Sequence, residues 1–152
     1  MDVHRQRETT YFTPLVQASA PTLPKDTTPK NFKVLLVYPN YSMVNLLPTN
    51  IGVLTSCLRQ NGFTAGLFDT TFYRTEEKTL DETRVETLQV RKFDLEEFGV
   101  KPNPGNYLDD FKMKVAQFKP DLIGVTAVED TWPQARELIE SVNDNPVPVV
   151  VG

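Results

Sequence analysis

The sequence predicts an α/β domain built on a doubly wound parallel sheet with helices on both faces, and three observations carry that reading. Continuous apolar runs such as Val34-Leu35-Leu36-Val37 lack alternation, which is the composition of strands covered on both sides. Segments with apolar residues at helical spacing stand between those runs. The punctuation, Asn61-Gly62, Lys119-Pro120 and Pro146 to Pro148, falls where a helix must stop or a strand begin. Strands alternating with helices in this way pair in parallel through crossover helices, whose hand should be right.

Residues 1–32 are expected to form a flexible amino-terminal tail, because Pro14, Pro21, Pro24 and Pro29 are scattered among threonines and charges with few large apolar groups. The apolar patch Tyr11 to Val16 is its one candidate for docking. His4, the chain's single histidine, lies in this tail without a Cys or carboxylate cluster and reads as a solvated residue. From Lys33 the first strand runs to Tyr38. Ile51, Leu54, Cys57 and Leu58 then mark a helix from about Asn50 to Asn61, with Thr49 or Asn50 placed to cap it. Cys57 falls on that apolar stripe and is expected to be a packed core thiol rather than a nucleophile. Thr64 to Asp69 is the second strand.

Tyr107, Leu108, Phe111, Val115 and Phe118 mark the next helix, opened by Asn106 and stopped at Lys119-Pro120. Leu122 to Val125 is the third strand. Trp132, Ala135, Leu138, Ile139 and Val142 give another amphipathic helix, with Pro133 in its first turn, where a missing N–H costs least. Pro146 to Val151 enters a fourth strand, and its prolines are tolerable only near the beginning. This order makes the domain flavodoxin-like, or Rossmann-like, with four of five strands present and a helical insertion after the second strand.

That insertion, from Thr70 to Gly105, concentrates charge. Between Glu76 and Glu97 stand eight acidic and four basic side chains, a local balance of -4 that equals the net charge of the whole chain. A solvated helical excursion is the expected reading; an acidic docking face for another domain is the other.

Composition excludes several function classes. A single cysteine, Cys57, rules out an internal disulfide framework and any multi-cysteine metal or cluster site, and it suits a reducing, cytoplasmic compartment. With 16 basic against 20 acidic residues there is no electrostatic case for nucleic acid. No apolar run approaches the roughly 20 residues of a membrane span. No G-x-G-x-x-G or Walker loop follows the first strand. No Ser-His-Asp or Cys-His set is available outside the tail, so no catalytic residue is assigned.

Ligands of open α/β sheets bind beyond the carboxyl ends of the strands, where the strand order reverses. Three segments should meet there: the loops Pro39 to Pro48 and Thr126 to Thr131, and whatever follows Gly152 after the fourth strand. Pro39 to Pro48 carries Asn40, Tyr41, Ser42 and Asn45 among Met43, Val44, Leu46 and Leu47, a mixture suited to an amide-fringed, largely apolar ligand. Thr126 to Thr131 is the other loop. Glu129 and Asp130 lie in it without partner carboxylates, so their expected role is at the positive end of the following helix and not on a metal.

Lys33 to Asn40, Leu47-Pro48-Thr49-Asn50-Ile51-Gly52-Val53-Leu54, Asn61-Gly62-Phe63, Pro120 to Thr126 and Pro148 to Gly152, in this order and phase, resemble the cobalamin-binding domain that precedes the catalytic barrel of many radical S-adenosylmethionine enzymes. The resemblance covers residues 33–152. Cobalamin domains of the wider family carry D-x-H-x-x-G after the first strand, S-x-L after the third and Gly-Gly after the fourth. Thr126-Ala127-Val128 stands where S-x-L belongs and Gly152 where the glycine pair begins. The first mark is replaced by Asn40-Tyr41-Ser42, so the resemblance implies base-off cobalamin without a lower histidine ligand.

It further implies that the corrin lies over the strand ends, with Asn40, Tyr41, Ser42, Asn45 and Leu47 beneath it. The dimethylbenzimidazole tail would enter a slot at Thr126, Ala127, Val128, Glu129 and Gly152. The 4Fe-4S cluster and S-adenosylmethionine would belong to a downstream barrel, the expected partner, since no C-x-x-x-C-x-x-C occurs here. Two other readings keep the fold: a degenerate lid or docking platform for the barrel, and a receiver-like signalling domain, which the missing acidic pocket disfavours. On the cobalamin reading the chain stops inside its expected Gly-Gly mark, before a fifth strand and a last helix.

Overall fold

The computed structural model describes residues 31–42, 48–92, 94 and 96–152. Most of the tail expected at 1–32 lies outside these residues, and so do Asn45 and Leu47. Of that segment, Phe32 meets Phe63 edge-on at 5.9 Å, and its carbonyl accepts from the Thr64 N–H.

Four strands, β1 (Lys33–Tyr38), β2 (Thr64–Asp69), β3 (Leu122–Val125) and β4 (Val149–Val151), form one parallel sheet in the order β2-β1-β3-β4. This is the doubly wound, flavodoxin-like α/β arrangement. The order reverses between β1 and β3, which makes the gap between their carboxyl ends the place where loops diverge and leave a crevice.

Alternation along the strands assigns two cores. Leu35 and Val37 of β1, Phe68 of β2, and Ile123 and Val125 of β3 face one way, with Phe111 and Val115 of α3 (Tyr107–Phe118) and Ala135 and Leu138 of α4 (Trp132–Ser141) packed on them. Each fully buried Leu, Ile or Phe contributes on the order of 1.5–3 kcal/mol. Gly66 lets α3 come close, because a Cβ there would lie 2.9 Å from the Phe118 ring. Val34 and Leu36 face the other way, against Ile51 of α1 (Thr49–Gln60), with Leu58 and Leu122 partly buried beside them.

This second face is sparsely covered by the described residues. Leu54 is 44% and Val150 58% exposed. Cys57 is exposed as well, which corrects the expectation of a core thiol: α1 touches the sheet along a stripe through Ile51 and Leu58, and Cys57 lies outside it. Nor is α1 capped as expected. Its N-cap position is Pro48, with no side-chain capping bond, and Asn50 Oδ1 accepts only from the adjacent Ile51 N–H at 2.9 Å. Gly62, at φ 84°, ends the turn after it.

Asn106 does cap α3, its Oδ1 accepting from the Leu108 and Asp109 N–H groups at 2.9 and 3.2 Å. Lys119 takes the left-handed conformation at φ 51°, which closes that helix before Pro120. The insertion holds α2 (Leu80–Glu86), with no buried residue, and a 3-10 turn at Glu96–Phe98. Thr79 opens α2 with a reciprocal box: its Oγ1 accepts from the Glu82 N–H, and Glu82 accepts from the Thr79 N–H at 2.8 Å. None of the described helices is long and apolar enough to cross a membrane.

Candidate functional site

A buried polar network lies at the carboxyl ends of β1 and β2. Asn40, 1% exposed, donates its N–H to Thr70 Oγ1 at 2.7 Å and its side-chain amide to Thr71 Oγ1 at 2.8 Å. Thr70 Oγ1 lies 2.9 Å from the Asn40 carbonyl, and Gln134 Nε2 of α4 donates to Thr70 Oγ1 at 3.1 Å. Asp69 Oδ1 accepts from the Thr71 N–H and hydroxyl at 2.8 and 2.6 Å. The ends of β1 and β2 and the first turn of α4 are thereby tied together.

Every polar group in such a place must find a partner. Gln134 Oε1 is the exception, a buried acceptor with no hydrogen bond among the described residues.

Above this floor the two loops touch. Tyr41 donates its hydroxyl to the Asp130 carbonyl at 2.6 Å, spanning the crevice. The Ser42 hydroxyl donates to the Tyr73 carbonyl, which points it toward the insertion rather than toward β3. On the far side, the Thr126 N–H extends the β1 ladder by donating to the Val37 carbonyl at 3.0 Å. Ala127 donates to the Gly152 carbonyl at 3.2 Å, and the Gly152 N–H to the Val125 carbonyl at 3.0 Å. Val128 is 65% exposed, and its N–H donates to Thr131 Oγ1 at 3.1 Å. Glu129 and Asp130 sit exposed in a 3-10 turn, Glu129–Thr131, that runs directly into α4.

The residues expected at the site thus fall into two groups. Thr126, Ala127 and Gly152 meet at the ends of β3 and β4. Asn40 and Ser42 turn away from them, into the polar floor and toward the insertion, while Tyr41 bridges the two loops. Thr70, Thr71 and Gln134 were not singled out by the sequence, although two threonines directly after a buried strand are a signal that its end is polar.

Three tyrosines nearby have hydroxyls held protonated well above neutrality. Burial, and next the hydrogen bond to Asp110 at 2.9 Å, push Tyr73 up to about 12. Burial, and then the bonded Glu137 carboxylate, raise Tyr107. Tyr38 is raised by burial and then by the charge of Asp69. The first two act as donors that pin α3 to its neighbours.

Among the described residues no group of three or more His, Cys, Asp or Glu side chains is arranged to hold a metal ion. The donor set at the crevice is hydroxyls, amides and backbone carbonyls. That chemistry fits a corrinoid whose cobalt takes no ligand from these side chains, and the small Ala127 and Gly152 fit a flat base approaching the strand ends. No protein-family model, curated protein or solved structure matches this chain. The resemblance to cobalamin-binding domains therefore stands on the residues quoted for it.

Proposed function

We propose that residues 33–152 act as a cobalamin-binding module of the kind that precedes a radical S-adenosylmethionine barrel, in a methyltransferase or cyclase type of enzyme. The cofactor would be bound base-off, with no lower histidine. The observation that supports this best is the junction of β3 and β4, where half-buried Thr126 stands beside the hydrogen-bonded pair of small residues Ala127 and Gly152.

On this reading Thr126 bonds the base, Ala127 and Gly152 leave room for it, and Tyr41 shields the strand ends. Cobalamin, when bound, supplies a metal centre that can carry a methyl group. The cluster and S-adenosylmethionine chemistry would belong to the downstream barrel.

A second reading, a docking platform that binds no cofactor, draws support from the Tyr41 to Asp130 bond, which closes the crevice, and from the burial of Asn40. Gel filtration after incubation with hydroxocobalamin separates the two. The module retains the corrinoid with a base-off absorption spectrum, and Thr126→Tyr abolishes retention without unfolding. A colourless protein peak sinks the cobalamin reading. Retention by Thr126→Tyr equal to that of the unaltered chain moves the base elsewhere.

A further inference from the structure

Beyond β2 the insertion forms a half-open cavity of about 710 Å³ lined by α2, by Thr71, Phe72 and Arg74, and at its edge by Ser42 of the loop after β1. This volume lies within the range of small-molecule sites. Its apolar lining is made by Phe72, Val85, Val90 and Pro102, of which Phe72 and Val90 remain 42% and 43% exposed.

The lining of the cavity holds three cations, Arg74, Arg91 and Lys92, and three carboxylates, and they differ in pairing, not in number. Asp81, Glu82 and Glu86 line it, and each is already paired: Asp81 with Arg84 at 3.5 Å, Glu82 with Arg74 at 3.2 Å, and Glu86 with Lys78. Two of those partners, Lys78 and Arg84, come from outside the lining. Arg91 and Lys92 also line the cavity, and they have no carboxylate partner among the described residues. An apolar hollow with two unpaired cations at its rim suits a molecule that is apolar along its body and negative at one end.

We propose that this cavity binds a small amphipathic carboxylate, its hydrocarbon body against Phe72, Val85 and Val90 and its carboxylate at Arg91 and Lys92. The site borders the region of the cobalamin reading, because Ser42 and Thr71 line its edge, but the carboxylate proposal does not rest on that reading. It shares none of the residues at the β3–β4 junction, and its occupant is a substrate-sized acid, not a corrinoid.

The test is calorimetric titration of the chain with phenylhexanoate and with phenylhexanol, which differ in charge but little in body. The acid should bind about fivefold tighter than the alcohol, the scale of two partly exposed ion pairs. Arg91→Gln combined with Lys92→Gln should bring the two affinities together. Val85→Trp should fill the chamber and remove both ligands; should that variant fail to fold, Val90→Trp serves the same purpose. Absence of acid binding to the folded, unaltered chain overturns the proposal. Equal affinity for acid and alcohol overturns it too, as does a preference that survives loss of both cations. Hydroxocobalamin retention, followed in the same variants, should stay unchanged, so failure at one site is read separately from failure at the other.

Discussion

The carboxyl edge of the sheet is built in two contrasting ways. At the ends of β1 and β2 the side chains fill the space and bond one another: Asn40, Thr70, Thr71 and Gln134 are all at least nine-tenths buried. Beyond β2 the chain forms a hollow, and α2, which walls it, buries none of its residues. The first region inherits its rigidity from the packed core beneath it. The second is held by one capping box and three exposed ion pairs, each worth about 0–1 kcal/mol. A region built like the first fixes small groups at set positions; one built like the second accommodates a body of variable shape.

The largest expected effect tests whether the core under the crevice is the stable unit. Phe111 is 1% exposed and packs on Phe68 with ring centroids 5.0 Å apart. Phe111→Ala should cost about 3–5 kcal/mol in denaturant unfolding. Phe72→Ala, which removes an aromatic ring from the wall of the hollow, should cost under about 1 kcal/mol. Similar costs for the two would erase the contrast.

A smaller effect addresses the polar floor. Thr70 Oγ1 serves the Asn40 N–H, the Asn40 carbonyl and Gln134 Nε2 together. Thr70→Val keeps the shape but leaves those buried groups unsatisfied, so about 1–3 kcal/mol should be lost. Thr87→Val, at an exposed hydroxyl that bonds the Thr83 carbonyl just past the end of α2, should change stability by less than about 0.5 kcal/mol. An equal response would mean that the floor is no better organised than the surface.

How much of this was legible depended on whether the cause was local. The run Val34 to Val37, the Asn106 cap and Pro133 in the first turn of α4 are one-segment signals, and the elements formed where they predicted. Cys57 was misread because helical spacing identifies a stripe but not its width, and only Ile51 of α1 is fully covered. Asn40 looked like a ligand-facing amide because Thr70 and Thr71, which it bonds, stand about 30 positions away, and no local pattern links them. The hollow depends on α2, whose weak apolar periodicity hid it, although Thr79-Leu80-Asp81-Glu82 carried the capping signature in plain sequence.

The smallest effect follows from that same box. Glu82 is held below its ordinary value of 4.5, chiefly by the hydrogen bond from the Thr79 N–H and further by the charge of Arg74. Because the folded value is the lower one, this carboxylate's contribution is complete above the ordinary value and is lost as pH falls through the lowered one. Amide exchange followed from pH 7 toward pH 3 should therefore show the Thr79 N–H and the α2 amides losing protection first. The Asn40 and Thr70 amides should hold, since Thr70 Oγ1 and the Tyr38 carbonyl, which accept from them, are neutral. Glu82→Gln should show the weaker α2 protection already at pH 7, with little further change on acidification. Simultaneous loss of protection at α2 and at Asn40 would show the hollow and the crevice to be one cooperative unit, and the division of the sheet edge into a fixed and an adaptable half would fall.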